Sequence, residues 1–412
     1  MSRLLPAVLR EEVQFRRLFL GQALSMLGDR ITFVALPFGV LAIGGSAGDV
    51  GLVIAASTLP FALFTLVGGV WADRLPRHRV MLVSDLVRCA SQGLAAVGLL
   101  TGEITVLQLA ALQLVFGTAD AFFSPAVTGI VPTVVPAARI QEATALRALV
   151  QSASLVVGPS LAGILVAVGG PGWALAVDAA TFAVSAFFLA RLVPDVAARL
   201  DEVSTSFLTE LRQGFAEVRA RSWVVSFLGG MAAYHVVVLP AVFVLGPVLA
   251  EQEYDGASSW AVVVAVFGVG SVAGNVIALR WRPSRPLAVA AVALVVASCQ
   301  ALIVGSGLSI AAIAALEGVT GVGVSLFFTL WESVLAEQIP ERSISRVSSY
   351  DYLCSTGLMP VGLALAGPAA DAFGIHATLH AMTVIGLPVA LAVLAVPGVR
   401  ALRRPAVAPG AA

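Results

Sequence analysis

The stretch LFLGQALSMLGDRITFVALPFGVLAI, from Leu18 to Ile43, carries only two charges, Asp29 and Arg30, in about 26 residues. An α-helix rises 1.5 Å per residue, so ~20 apolar residues cross a hydrocarbon core of ~30 Å. The run is long enough to span a bilayer and too long for the apolar core of a cleavable signal peptide. Runs of the same kind recur along the chain. In the first half they are Val50–Ala72, Val80–Leu100, Ile104–Val127, Ala143–Val168 and Trp173–Leu192. In the second they are Val224–Leu249, Trp260–Leu279, Leu287–Gly305, Ile310–Leu335, Val347–Ala370 and Ala377–Val396. Only the sixth is followed by a long connection. The sequence predicts an all-α membrane protein of twelve transmembrane helices.

Composition agrees. The 412 residues are 59% hydrophobic and 12% charged, with a mean hydropathy of +0.96. Soluble domains carry about 25% charged residues, so this chain has too few to cover a water-facing surface. The net charge of zero points to no nucleic-acid partner. All 24 basic residues are Arg, and Cys89, Cys299 and Cys354 sit inside apolar runs without metal-ligand spacing. No metal or cofactor is expected.

Arginine orients the chain. It occurs at both ends (Arg3, Arg10, Arg16, Arg17; Arg400, Arg403, Arg404) and in alternate loops, including Arg74, Arg77 and Arg79, then Arg139, Arg280, Arg282, Arg285 and Arg342. Cytoplasmic loops collect basic residues, so both termini are expected inside a cytoplasmic (inner) membrane. An even number of crossings requires the termini to share a side. Between the sixth and seventh runs, residues 194–222 read as a linker. Phe207, Leu208, Leu211, Phe215 and Val218 give it an amphipathic helical pattern suited to the membrane surface.

An offset of 204 superposes the halves: Gly117 on Gly321, Pro136 on Pro340, Gly158 on Gly362 and Gly163 on Gly367. The expected organisation is two related six-helix halves, 1–193 and 223–412, joined by the linker. Repeated halves that rock about a midplane site are a transporter architecture.

Between the second and third runs the chain reads Gly69-Val70-Trp71-Ala72-Asp73-Arg74-Leu75-Pro76-Arg77-His78-Arg79. This resembles the signature loop of the major facilitator superfamily, Gly-x-Leu-Ala-Asp-Arg-x-Gly-Arg-Arg-Arg. Gly69, Asp73, Arg74, Arg77 and Arg79 match, while Trp71, Pro76 and His78 depart. The resemblance implies a gating network that latches the outward-facing state, with Asp85 and Arg88, three apart on one helix face, joined to it. Gly158-Pro159-Ser160-Leu161-Ala162-Gly163 resembles the antiporter motif Gly-Pro-x-x-Gly-Gly, in which Gly158, Pro159 and Gly163 match. Leu20-Gly21-Gln22 through Gly28-Asp29, Ser84-Asp85-Leu86-Val87-Arg88 and Arg346-Val347-Ser348-Ser349 are similar to the macrolide-efflux and enterobactin-exporter-like branch. That branch implies a monomer. Many proton-coupled exporters place an Arg four residues before a Gly in the fourth span; here Gln113 precedes Gly117.

Charges at membrane depth are expensive and mark a pathway or a buried pair. Asp29, about 16 Å into its helix at 1.5 Å per residue, is a proton-coupling candidate, with Asp120, Asp178 and Glu317 as others. Glu142 with Arg147, and Arg346 with Asp351, sit five apart at equivalent positions of the halves and read as inner-gate charges. His235 reads as a packing residue or a pH-sensitive group. Phe33, Phe38, Phe122, Phe123, Tyr234, Phe327, Phe328 and Trp331 are substrate-cavity candidates on spans that line the cavity in the superfamily.

These readings point to a secondary transporter that exports a small amphipathic molecule, an antibiotic, siderophore or similar metabolite, by proton antiport. Import or facilitated passage of a nutrient is the alternative, and a non-transporting membrane sensor a further one. No nucleophile constellation, phosphate loop or Walker sequence suggests an enzyme.

Overall fold

A computed structural model describes residues 6–193 and 215–404; the side chains of residues 66–74, 341, 342 and 345 are not described. Nearly all described residues are helical, and there is no strand among them. Among the described residues, twelve helices are long and apolar enough to cross a membrane. They are α1 (Val13–Ala42), α2 (Ala47–Arg74), α3 (Arg77–Thr101), α4 (Val106–Val134), α5 (Ile140–Gly169) and α6 (Pro171–Leu189). The others are α7 (Ser222–Glu253), α8 (Gly256–Arg280), α9 (Pro286–Val304), α10 (Ile310–Gln338), α11 (Arg346–Phe373) and α12 (Ile375–Ala395). Of the linker's amphipathic pattern, residues 215–219 are helical and the earlier positions lie outside the described residues.

Local chemistry sets the helix ends. The Thr105 side chain and Gln108 form a reciprocal capping box at the start of α4. Gly102, at φ 71°, ends α3 in the left-handed conformation that costs glycine nothing. Pro37, Pro60, Pro125, Pro132 and Pro159 lie inside helices, where neighbouring helices can satisfy the freed backbone groups.

Contacts group the chain into two compact units. The first comprises Met1–Glu202, Val244–Ala265 and Leu363–Ala372. Within it α2 packs on α4, α3 on α4 and α6, and α1 on α5 and α6. One apolar core joins Phe15, Leu18, Met81, Ile130 and Leu189. The second unit comprises Val203–Phe243, Val266–Gly362 and Phe373–Ala412. There α9 packs on α10 and α12, and the Phe227 ring lies parallel to Trp331, centroids 4.9 Å apart. π-helical turns interrupt α7 at Tyr234–Val238 and Ala241–Leu245, and α11 at Leu353–Gly357.

The repeat seen in the sequence recurs as helix crossings. A β-carbon on Gly117 would lie 1.8 Å from the Ser57 carbonyl oxygen, and one on Gly321 would lie 2.3 Å from that of Phe267, so α4 meets α2 as α10 meets α8. A β-carbon on Gly158 would lie 2.3 Å from Arg30 Cβ and one on Gly362 2.2 Å from Val236 O, pairing α5 with α1 and α11 with α7. A β-carbon on Gly163 would lie 2.6 Å from Ala261 Cβ and one on Gly367 2.0 Å from Ala47 O, pairing α5 with α8 and α11 with α2. Pro136 and Pro340 each precede a helical turn with nearly the same backbone angles, φ −58° at both. The offset of 204 therefore marks equivalent positions in space, where small residues let helices approach closely.

Candidate functional site

In the first unit α1 and α5 face one another across a cavity of about 380 Å³. Met26, Asp29, Arg30 and Phe33, at i, i+3, i+4 and i+7, form the stripe that α1 presents. Arg147, Gln151 and Ser154, again at i, i+4 and i+7, form the facing stripe on α5. The Gly158 contact with Arg30 Cβ fixes how closely the two helices approach one turn beyond Ser154. Pro159 adds no N–H at this point and leaves the Leu155 carbonyl without its helical donor. The glycine-proline pair thus shapes one end of the cavity wall. Buried Nε of Arg147 has no hydrogen-bond partner.

Behind α1 is a dense polar network. Arg88, 1% exposed, pairs with Asp85, 0% exposed, and with Asp120, 34% exposed, at 3.0 Å for the latter. Its guanidinium lies 3.9 Å from the Phe123 ring centroid and 4.4 Å from that of Phe182. Asp178 Oδ2 accepts from Thr32 Oγ1 at 2.7 Å and from Gln92 Nε2 at 3.0 Å. Gln113 Nε2 in turn donates to Gln92 Oε1 at 3.1 Å. A β-carbon on Gly28 would sit 2.3 Å from Asp178 Oδ1, so only glycine lets the α6 carboxylate seat against α1. Asp120 and Asp178 are tied into structure, whereas Asp29 lines the cavity.

The second unit holds a buried chain built the same way. Tyr234 OH donates to Gln300 Oε1 at 2.7 Å, and Gln300 Nε2 donates to Glu317 Oε2 at 3.0 Å. Thr320 Oγ1 donates to the same carboxylate oxygen at 2.7 Å. Glu317 Oε1 is buried and has no partner. Glu317 and Gln113 are 204 residues apart. In each unit, a glutamine on the third helix of a half therefore bonds this position of the fourth. His235 Nδ1 lies 2.9 Å from the Met231 carbonyl oxygen.

Residues 18–356 match the family model of the Major Facilitator Superfamily. The chain belongs to the major facilitator superfamily. It is a polytopic membrane transporter and not an enzyme. It is 22% identical over 376 residues to macrolide efflux protein A of Streptococcus pyogenes, covering 89% of this chain and 91% of that protein. It is 27% identical over 388 residues to the multidrug efflux pump Tap of Mycolicibacterium fortuitum, covering 91% and 93%. Its fold resembles nucleoside transporter NupG, with a TM-score of 0.71 at 12% identity over 93% of this chain and 98% of that one. A bacterial homologue of the iron transporter ferroportin in the inward-facing state gives a TM-score of 0.71 at 17% identity, covering 95% and 100%.

The stretch 69–79 that resembles the superfamily's signature loop runs from the end of α2 into α3. The side chains of Gly69, Asp73 and Arg74 lie outside the described residues. Pro76 precedes α3, Arg77 donates to the Gly129 carbonyl on α4, and Arg79 is exposed. Glu142 Oε1 accepts from the Val8 N–H at 3.2 Å, while Arg147 faces the cavity five residues on. In the second unit Asp351 Oδ1 accepts from Trp331 Nε1 at 2.7 Å, and Arg346 is half-buried on the same helix. Of the aromatic candidates, Phe33 lines the cavity, Phe123 covers Arg88 and Tyr234 belongs to the Glu317 chain. Phe327 and Trp331 sit in the apolar core of the second unit, and Phe38 is buried. Phe122 and Phe328 are half-buried.

The sequence reading did not single out Arg30 and Arg147 together, nor the N-terminal tie. Arg139 pairs with Glu11, and with Glu12 at 3.4 Å, holding the short helix Ala7–Glu11 to the start of α5. The Arg139 hydrogen bond and charge hold the Glu11 carboxyl below its usual range, with help from Arg10.

Proposed function

We propose that this protein exports small amphipathic molecules from the cytoplasm by proton antiport, with the cavity between α1 and α5 as part of the substrate path. The observation that carries the reading is Asp29. It is a carboxylate at membrane depth that lines a cavity of about 380 Å³ beside Met26 and Phe33. A group so placed can be reached by both a proton and a ligand, which is the minimum that antiport demands. The relatives named for efflux of macrolides and of several drugs support the direction. In this reading the halves 1–193 and 223–412 alternate access about the repeated glycine crossings, the signature loop gates the inner side, and both termini lie in the cytoplasm.

The test is accumulation of a fluorescent amphiphile in inverted vesicles containing the protein, with and without an uncoupler. Accumulation that needs the proton gradient and disappears in Asp29→Asn is expected. Accumulation untouched by both changes discards proton antiport at Asp29.

A further inference from the structure

The cavity contains two guanidinium groups and one carboxylate. Arginine does not give up its proton in proteins, so Arg30 and Arg147 bring two fixed positive charges to membrane depth, where an uncompensated charge is costly. Arg88 shows how this protein settles such a charge, with two carboxylates and two aromatic faces. Among the described residues, neither Arg30 nor Arg147 lies within ion-pair distance of any carboxylate. The Arg147 Nε is buried without an acceptor. Gln151 and Ser154 extend the same α5 face with further donors. The wall therefore offers an excess of donors and positive charge, with Asp29 as its one anionic group.

We infer that the preferred substrates are zwitterionic amphiphiles, whose oxyanion is held by Arg30 and Arg147 and whose cation faces Asp29. The inference rests on the cavity being the substrate site, as proposed above. A planar guanidinium binds a carboxylate or phosphate through two parallel hydrogen bonds, and a second guanidinium adds charge and direction. Met26 and Phe33 supply the apolar surface for the body of the molecule. The cation is needed for antiport. A purely anionic substrate would bind better once Asp29 took up a proton, which couples the two in the same direction. A cation competes with the proton for Asp29, so uptake of one releases the other. An oxyanion at the arginines and a cation at Asp29 satisfy both the unpaired donors and the exchange.

Rhodamine B, which carries a cationic ring system and a free carboxylate, and its ethyl ester, which keeps only the cation, differ in the group at issue. Binding of each to the purified full-length protein is measured by fluorescence polarisation, with Arg30→Gln, Arg147→Gln and Arg147→Lys alongside wild type. Monodisperse elution and helical circular dichroism establish that each variant is folded. Wild type is expected to bind rhodamine B at least about tenfold more tightly than the ester. The affinity ratio should fall to within about twofold of unity in either Gln variant and keep part of its value in Arg147→Lys, which retains charge but loses the fork. A ratio near one in wild type, a ratio unchanged in the Gln variants, or binding of neither dye overturns the inference. Inverted-vesicle transport separates it from the export reading. Equal accumulation of both dyes keeps export and removes the zwitterion preference. Selective binding without accumulation keeps the preference and removes export.

Discussion

The hydroxyl of Ser46 donates to Oδ2 of Asp371 at 2.9 Å, across 325 residues of sequence. The same oxygen accepts from the Gly48 N–H at 2.8 Å. Gly48 is in the first turn of α2, where the N–H has no partner within its own helix. Asp371, near the end of α11, therefore caps α2 from another part of the chain, with its charge at the positive end of the helix dipole. Ser46 and Asp49 complete the cap locally through Ser46 N–H to Asp49 Oδ2 at 2.8 Å. Hydrogen bonds to a charged group contribute about 1.5–3 kcal/mol, and the exposure of this site favours the low end. Asp371→Ala should speed amide hydrogen exchange over residues 46–50 by about tenfold, read by mass spectrometry on the purified protein. Exchange unchanged in that variant would sink the capping role.

The glycine crossings make a sharper prediction because one glycine serves as control. Gly117→Ala places a β-carbon 1.8 Å from the Ser57 carbonyl oxygen, a backbone atom that cannot swing aside. Overpacking of this kind costs about 1–3 kcal/mol. A β-carbon on Gly229 meets nothing within 4 Å, and alanine is favoured over glycine in a helix by about 1 kcal/mol. Thermal unfolding in detergent should show Gly117→Ala melting several degrees below wild type and Gly229→Ala at or slightly above it. Equal melting of the two would mean that α2 and α4 are not held at this distance.

Arg88 is the keystone of the polar network, so removing it should cost more than removing any one of its partners. Arg88→Leu strands Asp85, which is fully buried, and Asp120 together. Breaking a buried pair by deleting one member costs about 3–5 kcal/mol. Asp120→Asn leaves the Asp85 pair in place and alters a side chain one-third open to its surroundings, so its effect should be smaller. The yield of monodisperse protein and its melting temperature rank the two variants. An Arg88→Leu protein as stable as Asp120→Asn would show that the charge is compensated elsewhere.

Acid should release the N-terminal helix. Arg139 holds the Glu11 carboxyl below its usual value of 4.5, so the folded-state value is the lower one. The contact therefore contributes fully above the usual value and is lost as pH falls through the depressed folded-state one. Glu11 is on the surface, so salt should weaken the same contact. Protease cleavage near residues 6–12 should be slow at neutral pH and speed up below about pH 4. Glu11→Gln should be cleaved quickly at both. Cleavage independent of pH would contradict this tie.

How much of this was legible in sequence depended on what kind of contact each residue makes. Gly117, Gly158 and Gly163 could be paired with Gly321, Gly362 and Gly367 because at each a β-carbon would lie 2.6 Å or less from an atom of the facing helix, so the offset survives. The Asp85–Arg88 pair could be read because three residues on one helix share a face. Asp371 could not be read, since an acidic residue at a helix end looks like any loop charge until its distant partner is known. Arg30 and Arg147 were hidden for a related reason. Each lies on a legible stripe, but which stripe of α1 faces which stripe of α5 is decided by the Gly158 crossing, not by either helix alone.

Of the four carboxylates that the sequence offers as proton sites, Asp29 and Glu317 differ most plainly in access. Asp29 lines a cavity, whereas Glu317 is 1% exposed and bonded through Oε2 to Gln300 and Thr320. A ligand can displace a proton only from a group it can touch. Adding rhodamine B to lightly buffered purified protein should release protons, reported by a soluble pH indicator, from wild type and from Glu317→Gln. Asp29→Asn should release none. Glu317→Gln keeps an acceptor for both donors, so its fold should hold, and it serves to show that a second buried carboxylate is not the source. Release abolished in Glu317→Gln and retained in Asp29→Asn would move the exchange site to the second unit, and with it the place where substrate and proton compete.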